Sequence, residues 1–145
     1  MSQINAYLTF EGNCSEVMNF YKESLGGELH MQAVEGSPIE DQCTTSMKNQ
    51  ILHATLTKDD LLLMGSDMQG PEGFIKGNNI ALSLNCSSEE EINTFFLNLS
   101  RGGKITHALT EQFWGATFGV LIDKFGIRWM LNYDKTQNDG SNEIA

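Results

Sequence analysis

Two stretches, Asn5-Ala6-Tyr7-Leu8-Thr9-Phe10 and Asn79-Ile80-Ala81-Leu82-Ser83-Leu84, begin two copies of one pattern in this chain. Each stretch leads into Asn-Cys-Ser, then into a segment with two adjacent aromatic residues, and then into Gly-Gly. The later parts match as well, because residues 53–64 can be laid over residues 119–130 without a gap. Internal similarity of this kind indicates a duplicated supersecondary unit. Two equivalent curved sheets set side by side would enclose a space, and we expect that space to be a ligand site.

The order of elements predicted for each copy is βαβββ. Residues 3–10 and 79–84 alternate as strands do, and a helix with one apolar face follows each of them. We expect Ser15 and Ser87 to cap these helices, the second with Glu90 in a capping box, and a Gly-Gly pair to end each helix. The fold class predicted is α+β, with paired βαβββ units forming curved, mostly antiparallel sheets and the helices on the outside.

Glycine-rich and polar segments predict the domain boundaries. The first repeat spans about 3–67 and the second about 78–133, and the joint between them is rich in glycine. Because 145 residues is the length of one domain, we expect a single domain over 1–133. Residues 134–145 are polar and are predicted to be a loose C-terminal tail.

The charge of the chain limits its partners. A formal net charge of −10 and a pI near 4.5 argue against nucleic acid and anionic membranes, because both would be repelled. No stretch has the apolar length of a membrane span, and the first residues lack a basic segment followed by an apolar one. We therefore expect a cytoplasmic protein.

The cysteines give no sign of a disulfide framework or a zinc site. Cys14, Cys43 and Cys86 are an odd number and form no CxxC pair. Cys14 and Cys86 are predicted to occupy the same place in the two repeats, with a packing role. Cys43 lies in a predicted loop, and nothing beside it in sequence indicates an activating base.

Several segments resemble the vicinal oxygen chelate superfamily, which contains glyoxalase I, bleomycin-resistance proteins and extradiol dioxygenases, and within it the PhnB-like group. The matching residues are Tyr7-Leu8-Thr9-Phe10-Glu11-Gly12-Asn13 with Phe20-Tyr21, His53-Ala54 with Leu63-Met64-Gly65-Ser66-Asp67, Phe113-Trp114-Gly115, and Asp123-Lys124-Phe125-Gly126-Ile127-Arg128-Trp129-Met130. The resemblance implies a glyoxalase/bleomycin-resistance-like fold, a homodimer and a small organic ligand. Some relatives carry a demethylubiquinone methyltransferase name, but the chain has no glycine-rich strand-to-helix turn to cradle such a cofactor.

In the metal-dependent members of this superfamily, His and Glu ligands come from the first strand and the last hairpin strand of each repeat. The resemblance carries those positions to Asn5, Met64, Asn79 and Met130, and a shift of one residue would replace Asn5 by Ala6. Thioethers and neutral amides are poor ligands for Ni, Zn, Fe or Mn, which prefer imidazole or carboxylate. We therefore predict no metal and no cofactor, with the cavity kept for binding.

Strand alternation and the resemblance together give the candidate site. The predicted ligand-binding residues are Asn5, Tyr7, His53, Met64, Asn79, Trp114, Arg128 and Met130. A solvated sheet face is the competing interpretation, although methionine is apolar for a wet face and adapts to varied ligands. Arg128 could anchor an anionic ligand or form a surface ion pair. Trp114 could stack on a planar ligand, or lie in the core or in a dimer contact. His30 and His107 are predicted to be surface residues.

The catalytic residues are not identified by the sequence. His53 is a candidate general base and Asp67 a candidate carboxylate partner, but a cross-strand hydrogen bond and a turn explain them equally well. The first hypothesis is a metal-independent small-molecule-binding protein of this superfamily. The alternative is a metal-dependent lyase, isomerase or dioxygenase of the same superfamily, so that enzymatic activity stays open. A third hypothesis, a structural or regulatory interaction protein, rests only on the acidic surface.

Overall fold

The computed structural model of this chain describes residues 2–40 and 49–135. Its backbone contacts divide the chain into two compact units, Met1–Lys76 and Gly77–Ala145, and each unit has one βαβββ set. The predicted order of elements is therefore confirmed in both repeats. Cys43 and residues 136–145 of the predicted tail lie outside the described residues. The single domain over 1–133 stays a prediction.

In the first unit the elements are β1 (Ala6–Thr9), α1 (Cys14–Leu25), β2 (Glu28–Ala33), β3 (Ile51–Lys58) and β4 (Leu61–Ser66). The strands form one sheet in the order β1-β4-β3-β2. β1 runs parallel to β4, because α1 carries the chain back across the sheet, and the other two pairs are antiparallel.

In the second unit the elements are β5 (Ala81–Asn85), α2 (Glu89–Ser100), β6 (Lys104–Glu111), β7 (Ala116–Ile122) and β8 (Arg128–Asp134). The sheet order is β5-β8-β7-β6, again with one parallel and two antiparallel pairs. The predicted α+β class with mostly antiparallel sheets is confirmed. Asp134 ends β8, so the predicted tail begins one residue too early. No helix in the described part of the chain is long and apolar enough to cross a membrane.

The first helix begins before its predicted cap. The prediction that Ser15 caps the helix is wrong, because α1 begins at Cys14 and Asn13 is the N-cap residue, without a side-chain cap bond. The carboxylate of Asp67 instead accepts hydrogen bonds from the N–H groups of Gly12 and Cys14, at 3.0 and 2.9 Å. A carboxylate from beyond β4 therefore satisfies the backbone donors at this helix end.

The second helix has its capping box one residue later than predicted. Ser88, not Ser87, is the N-cap residue, and its Oγ accepts a hydrogen bond from the N–H of Glu91 at 3.0 Å. The Glu91 carboxylate accepts one from the N–H of Ser87 at 2.8 Å, so Glu91 takes the part expected of Glu90. Serine is a favourable N-cap residue at either position. With Ser88 as the N-cap residue, Ile92 of α2 is buried.

The residues that are equivalent in the two folded repeats are not the ones that the sequence comparison matched. Tyr7 pairs with Met64 across β1 and β4, and Ser83 pairs with Met130 across β5 and β8. Tyr7 therefore corresponds to Ser83, whereas the sequence comparison matched Tyr7 with Ala81. Backbone pairing is needed to find the equivalent residues. A shift of two residues along a strand keeps the apolar side chains on the same face, so the alternation of apolar and polar residues does not reveal it.

The predicted equivalence of Cys14 and Cys86 is also wrong. Cys14 is the first residue of α1, whereas Cys86 lies two residues before the N-cap residue Ser88. The two Asn-Cys-Ser runs match in letters but stand at different points of the strand-to-helix connection. This connection is longer before α1, since only there does the chain pass through the turn that Asp67 holds.

The prediction that residues 53–64 match residues 119–130 without a gap is wrong for the hairpins of the structure. Leu56 pairs with Leu63, seven positions on, whereas Leu121 pairs with Trp129, eight positions on. The second hairpin has one more residue in its turn, where the Asp123 carboxylate accepts hydrogen bonds from two backbone N–H groups of that turn.

Each helix covers one face of its own sheet. The buried residues include Val17, Met18, Tyr21 and Leu25 of α1 and Ile92, Phe95, Phe96 and Leu99 of α2. They meet strand residues that are at most 5% exposed, among them Ala54, Leu56, Leu63, Leu121, Trp129 and Leu131. Burial of one large apolar side chain stabilises a fold by about 1.5 to 3 kcal/mol, so these faces dominate the stability. Ile80 does not belong to this face, because it precedes β5 and is 77% exposed.

Candidate functional site

Each sheet has an open face, by which we mean the surface that faces away from its own helix. A Cβ on Gly65 would lie 3.2 Å from Sδ of Met18, and a Cβ on Gly119 would lie 2.7 Å from the ring of Phe96, so both glycines face the helices. Because side chains alternate along a strand, the residues beside each glycine belong to the open face. The first open face includes Tyr7, Thr9, His30, His53, Thr55, Leu62 and Met64, and the second includes Ser83, His107, Phe118, Val120, Ile122, Arg128 and Met130.

One row of four paired residues crosses the middle of each open face. In the first sheet the row is Tyr7, Met64, Thr55 and His30, and in the second it is Ser83, Met130, Val120 and His107. Met64 and Met130 hold equivalent positions and are both half-buried. His30 and His107 are also equivalent and are exposed, which confirms that both are surface residues.

Tyr7 and His53 are in direct contact on the first open face. Oη of Tyr7 lies 3.2 Å from Nδ1 of His53, and the ring centroids are 5.7 Å apart. Since β4 lies between β1 and β3, the two backbones are separated by about 10 Å, and the Tyr7 side chain must extend across β4. Tyr7 is 51% exposed, so a ligand can reach the pair from solvent.

Asp67 is buried, and the backbone uses both oxygens of its carboxylate. Oδ1 accepts hydrogen bonds from Gly12 and Cys14, and Oδ2 accepts one from the N–H of Ile51 at 2.8 Å. The residue is 3% exposed, which leaves little room for a ligand. The carboxylate thus joins the start of α1 to the start of β3. This arrangement favours a structural role over the acid–base role for which Asp67 was a candidate.

The second open face is more apolar than the first. Phe118, Val120, Ile122 and Met130 are half-buried there. The ring of His107 packs edge-on against Phe118, with centroids 5.8 Å apart. Arg128 begins β8 at the edge of this face and is exposed, so the guanidinium is the cation that a ligand would meet first there.

Trp114 lies on the loop between β6 and β7, where Gly115 turns the chain with a φ of 92°. Its side chain is 52% exposed and packs at a right angle against Phe113, with ring centroids 5.0 Å apart. The core position considered for Trp114 is therefore wrong. A ligand contact and a dimer contact both stay predictions for this residue.

The positions that the resemblance matches to metal ligands, and for which we predicted no metal, have side chains that do not fit one. Asn5 and Asn79 lie just before β1 and β5 and are exposed, while Met64 and Met130 stand on the open faces. Amides and thioethers bind Zn, Ni, Fe and Mn more weakly than imidazole and carboxylate do. Within residues 2–40 and 49–135, no three His, Cys, Asp or Glu side chains are grouped so that they could hold a metal ion.

Cys14 and Cys86 are buried free thiols. Burial raises the pKa of each thiol from 9.0 to about 12, and the charge of a nearby carboxylate, Asp67 or Glu91 respectively, adds to the shift. Because the thiolate is the reactive form, both cysteines are inert at neutral pH. Both side chains are at most 8% exposed, which is consistent with the predicted packing role, although their positions in the repeats differ.

Comparison with known proteins finds relatives over nearly the whole chain. Residues 2–132 match the family model described as 3-demethylubiquinone-9 3-methyltransferase. Protein YjdN of Escherichia coli K12 is 34% identical over 143 residues, which is 92% of this chain and 97% of that protein. The crystal structure of PA1353 from Pseudomonas aeruginosa is 36% identical with a TM-score of 0.75, and the match covers 92% of this chain and 98% of that chain. A putative 3-demethylubiquinone-9 3-methyltransferase, PhnB protein, from Bacillus cereus is 28% identical with a TM-score of 0.68, over 91% of this chain and 99% of that chain.

The fold is also found in more distant proteins. A glyoxalase/bleomycin resistance protein/dioxygenase family enzyme from Burkholderia phytofirmans PsJN is 13% identical with a TM-score of 0.57, over 88% of this chain and 96% of that chain. A glyoxalase-related enzyme from Fulvimarina pelagi is 15% identical with a TM-score of 0.62, over 93% of this chain and 90% of that chain. These likenesses confirm the glyoxalase/bleomycin-resistance-like fold, and the matches above confirm the PhnB-like resemblance.

The strand-to-helix turns do not fit a nucleotide-type methyl donor. Such a cofactor is held at a glycine-rich turn whose backbone N–H groups are free to meet it. In the first turn, the N–H groups of Gly12 and Cys14 are bound by Asp67. In the second, the N–H groups of Ser87 and Glu91 are bound by the side chains of Glu91 and Ser88.

The predicted ligand-binding set leaves out several residues of the open faces, among them Thr55 and Val120. Thr55 and Val120 stand in the central rows, beside Met64 and Met130 respectively. Both lie on strands that alternate, so the signal was present in the sequence. The one-residue difference between the hairpins hid it, because a comparison without a gap pairs Thr55 with Leu121, which faces the helix.

Proposed function

Because this chain belongs to the family described as 3-demethylubiquinone-9 3-methyltransferase, within the glyoxalase, bleomycin-resistance and dioxygenase superfamily, we propose that it is a metal-independent small-molecule-binding protein. The observation that carries the proposal is the side-chain chemistry of the open faces. Met64 and Met130 stand at equivalent central positions, where a thioether is a poor metal ligand but a good contact for an organic molecule.

The proposed ligand-binding residues divide by chemistry between the two units. In the first unit, Tyr7 and His53 supply hydrogen bonds and Met64 supplies an adaptable apolar surface. In the second unit, Met130 supplies apolar contact, Trp114 an exposed aromatic ring, and Arg128 a positive charge for an anionic group. Asn5 and Asn79 contribute neutral amides at the strand starts.

Binding is better supported than acid–base catalysis. A positioned general base contributes about two to four powers of ten in rate, and needs a reacting group held against it. His53 could serve as such a base, but its proposed carboxylate partner Asp67 is bound by three backbone N–H groups. The pair that His53 forms is with the phenol of Tyr7.

The assembly and location belong to the same proposal. The working form is a cytoplasmic homodimer, in keeping with the acidic composition and with the exposed Trp114 and Phe113 on one loop. Light scattering of the full-length chain tests this directly. Trp114→Ala is expected to weaken the dimer if this loop lies in the interface, and to leave the mass unchanged if it does not.

The binding proposal is tested with the uncharged dye N-phenyl-1-naphthylamine and metal-stripped protein. The dye fluorescence should rise on binding, and the affinity should be unchanged by EDTA or by added Zn²⁺, Ni²⁺ or Mn²⁺. Met64→Lys and Met130→Lys place a charge on the open faces and should each weaken binding at least tenfold. Leu97→Lys, at an exposed apolar position of α2, is the matched control and should bind as the wild type does.

Two results would contradict the proposal. One is dye binding that needs a divalent ion and disappears with EDTA, which would favour the metal-dependent lyase, isomerase or dioxygenase. The other is equal loss of binding in Leu97→Lys and the methionine variants. Circular dichroism and thermal unfolding of each variant separate a lost site from a lost fold, and Met64→Thr and Met130→Thr are the milder substitutions where lysine unfolds the protein.

A further inference from the structure

The contact between Tyr7 and His53 determines which nitrogen of the imidazole carries the proton. In neutral imidazole one nitrogen donates a hydrogen bond and the other accepts one, and the partner of one nitrogen fixes the role of the other. The partner of Nδ1 is the phenol oxygen of Tyr7 at 3.2 Å.

The phenol is the donor in this pair. An imidazole nitrogen without a hydrogen is a much stronger hydrogen-bond acceptor than a phenol oxygen, and a phenol O–H is a strong donor. The O–H of Tyr7 therefore donates to Nδ1, which carries no hydrogen in the neutral ring. The proton of neutral His53 must then be on Nε2.

We propose that Tyr7 holds His53 in the Nε2–H tautomer, and that the first open face thereby selects ligands with an oxygen acceptor, such as a carbonyl or carboxylate oxygen. This inference rests on the proposed function, because it assumes that a ligand reaches this face. Tyr7 acts as a positioning residue, and Nε2–H of His53 is the group that meets the ligand.

The other groups of the face leave Nε2 available. Within residues 2–40 and 49–135, Nε2 of His53 makes no hydrogen bond, and no buried side-chain nitrogen or oxygen lacks a partner, so solvent reaches Nε2. Gln32 stands opposite His53 on β2 and is exposed. On the same face of β2, Nε2 of His30 lies 3.9 Å from Oε1 of Glu28.

The second open face has no equivalent of the contact between Tyr7 and His53. Backbone pairing makes Ser83 the equivalent of Tyr7 and Phe118 the equivalent of His53. Neither residue offers an N–H donor from its side chain. An imidazole donor held by a phenol is therefore a property of the first unit, and His53→Phe gives that position the side chain found in the second.

The tautomer is tested first, by long-range ¹H–¹⁵N correlation spectra of the ¹⁵N-labelled full-length protein at a pH where imidazole is neutral. The His53 signals, assigned with His53→Phe, are expected to show the Nε2–H pattern. In Tyr7→Phe they should shift toward a mixture of tautomers, and in the control Tyr133→Phe they should not change. A wild-type Nδ1–H pattern, or an unchanged pattern in Tyr7→Phe, would overturn the assignment whether or not any ligand binds.

Selectivity is tested with 2-acetylnaphthalene and 2-ethylnaphthalene, which have nearly the same shape and differ in one carbonyl oxygen. One hydrogen bond is worth about a five- to tenfold difference in affinity, so the wild type should prefer the ketone by about that factor. The preference should vanish in His53→Phe, fall by about half or more in Tyr7→Phe, and persist in the control Tyr133→Phe.

The failures of the two proposals are distinguishable. Equal affinity of the wild type for both naphthalenes would overturn the selection of an acceptor while leaving the binding function in place. The same preference in wild type and His53→Phe would remove His53 from the account. If neither naphthalene binds to the wild type, the binding function fails at this face and the selectivity falls with it, whereas the spectra still decide the tautomer.

Discussion

The two units share a backbone but differ in the chemistry of their open faces. Both have the strand order and the parallel first pair in common, and the central row of each includes a methionine and a histidine at equivalent positions. The first face adds a phenol and an imidazole in contact, whereas the second adds Val120 and Phe118. The duplicated fold thus supplies two similar surfaces, and a few substitutions make one polar and the other apolar.

The largest expected difference between the units concerns their buried carboxylates. Asp67 accepts hydrogen bonds from three backbone N–H groups in two segments far apart in sequence, whereas Asp123 holds its own turn and the indole N–H of Trp129. Asp67→Ala leaves buried donors unpaired and should lower the free energy of unfolding by about 3 to 5 kcal/mol. Asp123→Ala should cost about 2 to 3 kcal/mol, because the backbone N–H groups of Phe125 and Ile127 that it binds are only partly buried.

Urea unfolding followed by circular dichroism measures both losses. Asp60→Ala, at an exposed position of the β3–β4 turn, is the control and should change the stability little. A loss in Asp67→Ala no larger than in the control would mean that the carboxylate does not join α1 to β3.

The two buried cysteines, Cys14 in the first unit and Cys86 in the second, should react equally slowly although their positions in the repeats are not equivalent. With the pKa raised from 9.0 to about 12, the thiolate fraction of Cys14 and Cys86 at pH 8 falls about a thousandfold. In a Cys43→Ser background, alkylation by iodoacetamide should therefore be very slow in the native protein and fast in urea. Rapid native modification of one thiol would show that its burial is incomplete.

The same shifts give a pH dependence of stability. Since folding raises the pKa of each thiol, the stabilisation is fully present below pH 9 and is lost as the pH rises from 9 toward 12. The urea midpoint should fall over that range, and the Cys14→Ala and Cys86→Ala variants should each show a smaller fall. A urea midpoint that depends on pH as strongly in these variants as in the wild type would show that the two thiols are not the cause of the pH dependence.

Two glycines that face the helices should differ in their tolerance of alanine. A new Cβ at Gly119 would lie 2.7 Å from Phe96 and 2.8 Å from Leu109, whereas one at Gly65 would meet nothing closer than 3.1 Å. Gly119→Ala should cost about 1 to 3 kcal/mol and Gly65→Ala about 1 kcal/mol or less. Gly77→Ala, whose new Cβ would make only an ordinary contact at 3.6 Å with Oδ1 of Asn79, is the control for denaturant unfolding. The reverse order of the two costs would mean that α2 moves away more easily than α1.

The smallest effect is expected at Lys135, which joins the end of β8 to Glu111 and Glu89 at 3.2 and 3.9 Å. The hydrogen bond to Glu111 is the main reason that the pKa of Lys135 is raised. Because all three groups are exposed, Lys135→Met should leave the thermal midpoint nearly unchanged, at low and high salt alike. A clear, salt-dependent fall would show that these charges stabilise the second unit more than exposed pairs normally do.

The sequence predicted the element order and the apolar faces, because strand alternation and helix periodicity are local patterns. It did not predict the correspondence of Tyr7 with Ser83, since that depends on which residues pair across the sheet. The capping role of Asp67 was also beyond reach, because its partners lie up to 55 positions away. Tyr7 and His53 were each predicted as candidates, but their contact requires the order β1-β4-β3, which no local pattern encodes.

The most direct test of metal-independent binding is native mass spectrometry of the untagged full-length protein, purified without chelator and measured before and after dialysis against EDTA. The account predicts a mass without stoichiometric metal and an organic adduct, retained from the cell or added as the naphthalene ketone, that survives the dialysis. One metal ion for each site, lost together with the adduct in EDTA, would contradict the account and make the metal-dependent enzyme the better description.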